Sequence, residues 1–225
     1  LSEVRVRNND TLCPVGGNQT YTKFEYEHPN YNRVERMDYG YDRVVTYQYD
    51  TEGDDSLYRY TVEEYDNQNF TKRGRKTRDC MYDAEGNPYI EHLYDATVYD
   101  LTNREVTDGG CARTDVYVAK EVDITNYFEG QTSAQITSMV QRWYDQKRNV
   151  TEYIHYGDTT HNDEFFKAEI TYASGMSYNL ASLPSQIIVK NYSDATLQRR
   201  TATYDSRGKL IQLVRYNNSS ANAQY

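Results

Sequence analysis

The pair Tyr-Asp recurs through this chain far more often than its composition would give by chance. The 225 residues include 25 Tyr, and the pair occurs eight times, with its Tyr at positions 41, 49, 65, 82, 94, 99, 144 and 204. About two such pairs are expected from the Tyr and Asp contents, so the excess indicates an internal repeat.

Three copies of the repeat align without gaps, and each carries a second Tyr 12 positions after the first. They are Tyr82-Asp83-Ala84-Glu85-Gly86-Asn87 leading to Tyr94, Tyr144-Asp145-Gln146-Lys147-Arg148-Asn149 leading to Tyr156, and Tyr204-Asp205-Ser206-Arg207-Gly208-Lys209 leading to Tyr216. A fourth, truncated copy runs from Tyr49 to Gly53. The repeat units therefore lie near 49–53, 82–94, 144–156 and 204–216.

The repeat unit predicts a β-hairpin. Asp ends the first strand and can accept hydrogen bonds from backbone N–H groups two residues on, while Gly supplies the positive φ of the turn. The second strand alternates, and Tyr closes both ends of the hairpin. Arg148 replaces Gly in the middle copy, so that turn must be strained or of another type. The predicted structural residues are Tyr82, Asp83, Gly86, Asn87, Tyr94, Tyr144, Asp145, Asn149, Tyr156, Tyr204, Asp205, Gly208 and Tyr216.

The composition predicts an all-β chain, because Val, Tyr and Thr form strands well whereas Ala and Leu are scarce. Further predicted strands are 20–27, 43–49, 57–65, 89–99, 115–127, 165–172, 185–192 and 197–204. Ile136, Met139, Val140 and Trp143 have helical spacing, but their β-rich neighbours favour a strand. Polar stretches at 102–114 and 157–164 are predicted to be long loops. Since no clean domain boundary interrupts the pattern, we expect residues 1–225 to form one all-β segment, a fragment of a longer protein.

The Tyr-Asp-x-x-Gly unit that ends in Tyr resembles the YD repeat of RHS proteins, which include bacterial polymorphic toxins, the B and C subunits of insecticidal toxin complexes, and the animal teneurins. The order of further motifs is similar to the region upstream of the main RHS repeats in the toxin-complex B subunits. These motifs are Glu35-Arg36-Met37-Asp38-Tyr39-Gly40-Tyr41, Lys72-Arg73-Gly74, Tyr156-Gly157-Asp158 and Leu183-Pro184-Ser185. The similarity covers residues 20–216, with Gly missing at position 148.

This resemblance implies long antiparallel β-hairpins that form a curved or spiralling sheet, part of an RHS-type shell. We therefore expect a non-catalytic structural segment that contributes to a β-shell enclosing or presenting a C-terminal toxin or surface domain. The expected partners are the remaining RHS repeats of the parent chain or an RHS partner subunit, together with an enclosed toxin domain. The expected location is secreted or on the bacterial cell surface.

The aromatic, acidic and β-rich composition also fits a free-standing extracellular carbohydrate-binding or adhesive β-module, because exposed aromatic side chains recognise ligands well. The repeat spacing favours the structural role. It explains where the Tyr residues lie, whereas a binding site would need them to be clustered.

Candidate catalytic and metal sites in the sequence are weak. His155, Asp158, His161 and Asp163 could bind a metal only if they converged, and a solvated loop is favoured. Glu63 and Glu64 are adjacent in a predicted strand and point to opposite faces, so they cannot act together as a glycosidase pair. The chain contains no nucleophile elbow, P-loop or dinucleotide motif. We expect no enzymatic activity, no catalytic residue, no metal and no cofactor.

The net charge, the hydropathy and the cysteine spacing limit the expected partners, membrane insertion and disulfide bonds. A net charge of −9 and a pI near 5.0 disfavour nucleic acids and anionic membrane surfaces as partners. No apolar run approaches the roughly 20 residues that span a bilayer, so membrane insertion is not expected. Cys13, Cys80 and Cys111 lack C-x-x-C spacing; free thiols are favoured, and one disulfide remains an alternative.

Overall fold

The computed structural model describes residues 3–7, 19–50, 55–68, 70–107, 114–161, 163–175, 180–217 and 220–224. Within these residues the chain forms strands, turns and loops and no helix. The predicted all-β fold class is confirmed. Consequently none of the described segments is a helix that could span a membrane.

The described residues form fourteen strands of 5 to 14 residues, and their order in the sheet follows the sequence. They are β1 (Glu3–Arg7), β2 (Gln19–Asn32), β3 (Met37–Asp50), β4 (Ser56–Asp66), β5 (Arg75–Asp83), β6 (Pro88–Asp100), β7 (Val116–Tyr127), β8 (Ile136–Tyr144), β9 (Val150–Asp158), β10 (Phe166–Tyr172), β11 (Pro184–Lys190), β12 (Thr196–Tyr204), β13 (Leu210–Asn217) and β14 (Ser220–Gln224). Pairing is antiparallel from β1 through β6 and from β8 through β14.

The chain divides into two compact units. The first comprises the described residues of 1–94, 107–114 and 125–136, and the second those of 95–106, 115–124 and 137–225. The single segment predicted from the sequence stays a prediction.

A row of small side chains forms the core of the first unit. Val45, Val62 and Cys80 are direct cross-strand neighbours on β3, β4 and β5, and they are only 2%, 4% and 1% exposed. Burial raises the pKa of the Cys80 thiol. The thiol is free, and it is the cysteine among the three that lies within the described residues.

Tyrosine rings flank this row on the same face. Tyr47, Tyr60 and Tyr82 follow one another across β3, β4 and β5, with ring centroids 5.8 Å and 4.9 Å apart. Cross-strand aromatic pairs stabilise a sheet. A chain poor in Leu and Ile can therefore cover small buried residues with Tyr.

The second unit has a separate core at the end of β6 and the start of β7. Val98, Val106, Tyr117 and Ala119 are each less than 8% exposed. The Val106 N–H donates to the Val98 carbonyl at 2.8 Å, which folds the chain after β6 back onto that strand.

The predicted strands are present, most of them longer than predicted. The segment with helical spacing is strand β8, as favoured. Two predicted loops need correction: β9 extends to Asp158, and Val106 is buried within the predicted loop 102–114. Cys13, Cys111, residues 51–54 and residues 108–113 lie outside the described part of the chain.

Candidate functional site: a repeated turn at strand ends

The turn after Asp83 is closed by four local hydrogen bonds. The Asp83 N–H donates to the Asn87 carbonyl at 3.0 Å, and the Gly86 N–H donates to the Asp83 carbonyl at 3.3 Å. The Asp83 carboxylate accepts the Asn87 N–H at 2.7 Å and the Asn87 side-chain amide at 2.8 Å. These bonds lower the pKa of Asp83, the Asn87 side-chain bond most strongly. The Asp83 carboxylate therefore stabilises the turn.

The turn after Asp145 has the same pattern. The Asp145 N–H and the Asn149 carbonyl are 2.9 Å apart, as are the Arg148 N–H and the Asp145 carbonyl. The Asp145 carboxylate accepts the Asn149 N–H at 2.9 Å and its side-chain amide at 3.0 Å. Arg148 has a φ of 66° where Gly86 has 91°. The sequence left two alternatives for this copy, a strained turn or a turn of another type. The structure shows the same turn, with Arg148 in the left-handed region that favours Gly.

The third copy, at Asp205, has three of these four bonds, since Lys209 replaces the Asn whose side-chain amide donates in the other two copies. The Asp205 N–H donates to the Lys209 carbonyl at 2.9 Å, and the Gly208 N–H donates to the Asp205 carbonyl at 3.0 Å. The carboxylate accepts the Lys209 N–H at 2.8 Å. Gly208 has a φ of 84°.

The repeat pattern in the sequence does not predict two further turns of this kind. Asp100 accepts the Arg104 N–H at 3.1 Å, and Asn191 accepts the Ala195 N–H at 2.9 Å. The residues at the Gly position are Asn103 and Asp194, with φ of 61° and 62°. Asn and Asp tolerate the left-handed region better than other non-Gly residues. A search for Asp or Asn followed three positions later by Gly, Asn or Asp would have found both.

A β-bulge accompanies the turns. The register shifts next to Tyr49, Tyr82, Tyr144 and Tyr204, so that the strand after each turn carries one extra residue. The extra residues are Tyr58, Tyr89, Thr151 and Ile211. Tyr58, Tyr89 and Ile211 are 63%, 45% and 62% exposed, since a bulge redirects the side chain that it inserts.

The hydroxyl groups of the first Tyr in each copy have partners. The Tyr82 hydroxyl accepts a hydrogen bond from Arg78 at 2.8 Å. The Tyr144 hydroxyl donates to Glu121 at 2.6 Å. Burial, and to a lesser extent this hydrogen bond, raise the pKa of Tyr144 to about 12. The Tyr204 hydroxyl donates to the Pro184 carbonyl at 2.9 Å.

The second Tyr of each copy has a more varied environment. The Tyr94 hydroxyl donates to Asp79 at 3.1 Å. The Tyr156 ring lies edge-on to Phe165 at 5.5 Å. The Arg199 guanidinium lies over the Tyr216 ring at 4.9 Å. The structure does not bring the repeat residues together in one cluster.

A ladder of charged side chains crosses the first unit beside the buried row. Arg43 contacts Glu27 at 2.5 Å. Arg78 lies 3.4 Å from Glu64 and 2.6 Å from Glu91. Burial acts to lower the pKa of Arg78, but its bonds to Glu91 and Tyr82 outweigh that effect and raise it. The ladder therefore neutralises charge across neighbouring strands.

The weak catalytic and metal candidates remain separate. His155 lies in β9, where its ring stacks on Phe166 at 5.1 Å, whereas His161 is exposed and lies 3.1 Å from Asp158. Within the described ranges, no group of three His, Cys, Asp or Glu residues could hold a metal ion.

The adjacent glutamates are likewise held apart. Glu63 forms an ion pair with Lys76, and Glu64 lies 3.4 Å from Arg78. Each carboxylate thus faces a cation of its own on strand β5.

One groove does gather aromatic residues. A pocket of about 180 Å³ is lined by Tyr58, Arg59, Met81, Tyr82, Asp83 and Tyr89. Tyr58 and Tyr89, which are both bulge residues, present exposed rings there. The 12-residue period does not reveal this cluster, because the bulges shift the alternation of side chains.

Comparisons with known proteins show which solved structures share this fold. No family model and no curated protein matches the chain. A crystal structure of TcdB2-TccC3 matches 90% of this chain and 16% of that chain, with 12% identity and a TM-score of 0.62. The chain has the fold of a segment of these toxin chains.

Related solved structures agree. TcdB2-TccC3 without its hypervariable C-terminal region matches with 12% identity and a TM-score of 0.61, over 90% of this chain and 15% of that one. The Tc holotoxin pore of Photorhabdus luminescens matches with 10% identity and a TM-score of 0.59, over 88% and 15%. The chain thus spans about a sixth of the length of these proteins. The similarity supports, at the level of the fold, the resemblance to RHS proteins of toxin complexes.

Proposed function

We propose that this chain is a non-catalytic structural segment of an RHS/YD-repeat protein, which contributes to a β-shell that encloses or presents a C-terminal toxin or surface domain. The observation that carries the proposal is the recurrence of one hydrogen-bonded turn at Asp83, Asp145 and Asp205 between long antiparallel strands. The shared fold with Tc toxin chains supports it.

The Asp carboxylates and the first Tyr hydroxyls of the repeat are engaged by neighbouring residues of the fold. The Asp carboxylates accept backbone N–H bonds. The Tyr144 and Tyr204 hydroxyls bond to neighbouring strands, and the Tyr82 hydroxyl bonds to Arg78 on its own strand. Half-buried polar groups that are satisfied in this way contribute to the stability of a fold. An active site, by contrast, keeps acids and bases directed at a substrate. This distinction favours a scaffold.

Under this proposal the partners are the remaining RHS repeats of the parent chain or an RHS partner subunit, together with an enclosed toxin domain. The protein would be secreted or carried on the bacterial cell surface. The Tc holotoxin to which the chain is similar in fold is itself an assembly.

Limited proteolysis of the full native protein tests the proposal. We expect the C-terminal domain that the proposal assigns to the parent protein to resist protease in the native protein. It should become accessible when Asp145→Ala and Asp205→Ala remove two turn carboxylates. The matched control is Lys147→Ala with Arg207→Ala, which changes exposed side chains of the same turns and should leave the protection intact. Equal cleavage in the native protein and in the Asp double variant would contradict an enclosing role.

A carbohydrate-binding or adhesive module is the second candidate, and the groove with Tyr58 and Tyr89 is the observation that favours it. Exposed Tyr rings can stack on sugars and donate hydrogen bonds. A glycan array should then show binding that Tyr58→Ala and Tyr89→Ala abolish. Tyr31→Ala is the control, because Tyr31 is 62% exposed and does not line the groove. An array without signal leaves the scaffold role as the better account.

A further inference from the structure

A pocket on strands β11, β12 and β13 contains an arginine without a partner. The pocket has a volume of about 210 Å³, and Arg200 is the charged residue in its lining. The other lining residues are Pro184, Ser185, Gln186, Ile187, Thr201, Ala202, Tyr204, Leu210 and Leu213. Most of this wall is apolar, and Ala202 leaves room where its cross-strand neighbour is Leu213.

One nitrogen of the Arg200 guanidinium is unsatisfied within the fold. Its Nε is buried and has no hydrogen-bond partner among the described residues. Its direct cross-strand neighbours are Ile187 on β11 and Arg215 on β13. In the part of the chain that the structure describes, neither Arg200 nor Arg215 pairs with an acid. Like charges directly opposite each other destabilise a sheet, and a buried donor without a partner is costly.

Nearby cations of the second unit are treated differently. Lys167 and Lys190 also face each other across two strands, but Glu169 lies between them at 3.0 Å and 2.8 Å. The sheet therefore supplies an acid where two cations meet, and the Arg200 pocket is an exception. The described residues that line the pocket include no carboxylate.

We infer that this pocket binds the carboxylate of an Asp or Glu side chain, flanked by aliphatic side chains, on a partner polypeptide. A guanidinium pairs with a carboxylate through two parallel hydrogen bonds, and Ile187 and Leu213 would receive the apolar flank. The pocket holds one side chain rather than a large cofactor. A net charge of −9 disfavours a nucleic-acid phosphate as the anion. The inference does not depend on the proposed scaffold role.

Two blocked peptides test the inference on the 225-residue chain. One is N-acetyl-Val-Glu-Val-amide and the other is its uncharged counterpart N-acetyl-Val-Gln-Val-amide. Methyl NMR shifts at Ile187 and Leu213 report binding. We expect the Glu peptide to bind at least tenfold more tightly, and Arg200→Gln to remove that preference. Arg207→Gln, on an exposed turn, should leave the preference unchanged. A Glu peptide that binds no better than the Gln peptide, or a preference that survives Arg200→Gln, overturns the inference.

Thermal unfolding supplies a second measurement that does not need a peptide. Because Arg200 lacks a partner, Arg200→Met should raise the melting temperature of the free chain, and Arg207→Met should not. A lowered melting temperature for Arg200→Met would show that the guanidinium is satisfied within the fold, and it would overturn the inference. Arg200→Lys keeps the charge without the planar fork, and we expect it to bind the Glu peptide more weakly than the native chain.

Discussion

Replacing Arg148 by glycine should stabilise the second unit. The turn after Asp145 has the same hydrogen bonds as the turn after Asp83, but Arg148 stands at a φ of 66°. A left-handed conformation costs a non-glycine residue about 1–2 kcal/mol, and glycine gives back roughly 0.5–1 kcal/mol through the entropy of the unfolded chain. Arg148 is exposed and forms no ion pair within the described ranges, so its side chain contributes little. The expected net gain is about 0.5–1 kcal/mol.

The reverse changes calibrate this value. A Cβ at Gly86 would lie 3.5 Å from the Tyr60 hydroxyl, which is an ordinary contact. Gly86→Ala should therefore cost only the backbone term, about 1 kcal/mol. A Cβ at Gly208 would lie 2.4 Å from Leu180 Cδ1 and 3.1 Å from Leu183 Cδ1. Gly208→Ala should cost more than Gly86→Ala, because these leucines must move.

Urea unfolding followed by circular dichroism measures these differences, provided that the slope of the transition is unchanged between variants. Lys147→Ala, in the same turn as Arg148, is the control and should leave the midpoint in place. The reasoning about strain is refuted if Arg148→Gly leaves the midpoint unchanged or lowers it while Gly86→Ala destabilises as expected.

Further predictions concern charged and titrating groups. Arg78→Met should destabilise the first unit by roughly 2–4 kcal/mol in urea unfolding, because Glu91 loses a partly buried cation; a loss below about 0.5 kcal/mol would be the value of an exposed pair. Burial and the bond to Glu121 raise the pKa of Tyr144 to about 12. Its contribution to folding stability is therefore complete below the ordinary Tyr pKa of 10 and is lost as the pH rises through about 12. The tyrosinate absorbance of Tyr144→Phe should lack this late component, and a late component that persists would assign it elsewhere. The pKa of Asp83 is lowered. Its contribution to folding stability is therefore present above the ordinary Asp pKa of 3.8 and is lost as the pH falls below that value. Native chain and Asp83→Asn should therefore converge in stability in acid, and a constant difference would contradict this assignment.

The hairpin turns could be predicted from the sequence because their chemistry is local. Asp at the strand end and Gly three positions later determine the hydrogen bonds of the turn, and these bonds are found at Asp83 and Asp205. Asp100 and Asn191 were missed, since Asn103 and Asp194 replace Gly there and still adopt a positive φ. The rule that depends on Gly was too narrow for residues that tolerate the same conformation.

The core and the grooves could not be predicted in this way because they depend on register. Nothing in the sequence says that Val45, Val62 and Cys80 are neighbours, since this follows from the exact register in which consecutive strands pair. The Arg200 pocket has the same origin, because Arg200 meets Arg215 only through the pairing of β12 with β13. The alternation of side chains was a valid guide within a strand but not across a bulge.

The bulges explain how one repeat can contain both satisfied and exposed aromatic residues. Tyr82, before its turn, lies in regular register with Tyr60 on the preceding strand, and its ring flanks the small buried row. The extra residue after the turn is redirected outward, as Tyr89 is. Tyr can occupy both positions because its ring supplies apolar area and its hydroxyl accepts solvent or a neighbouring side chain. The extra residue is Tyr58 or Tyr89 in the first unit, whereas it is Thr151 or Ile211 in the second. In the first unit Tyr therefore serves in both environments, which helps to account for a folded chain with 25 Tyr and few Leu.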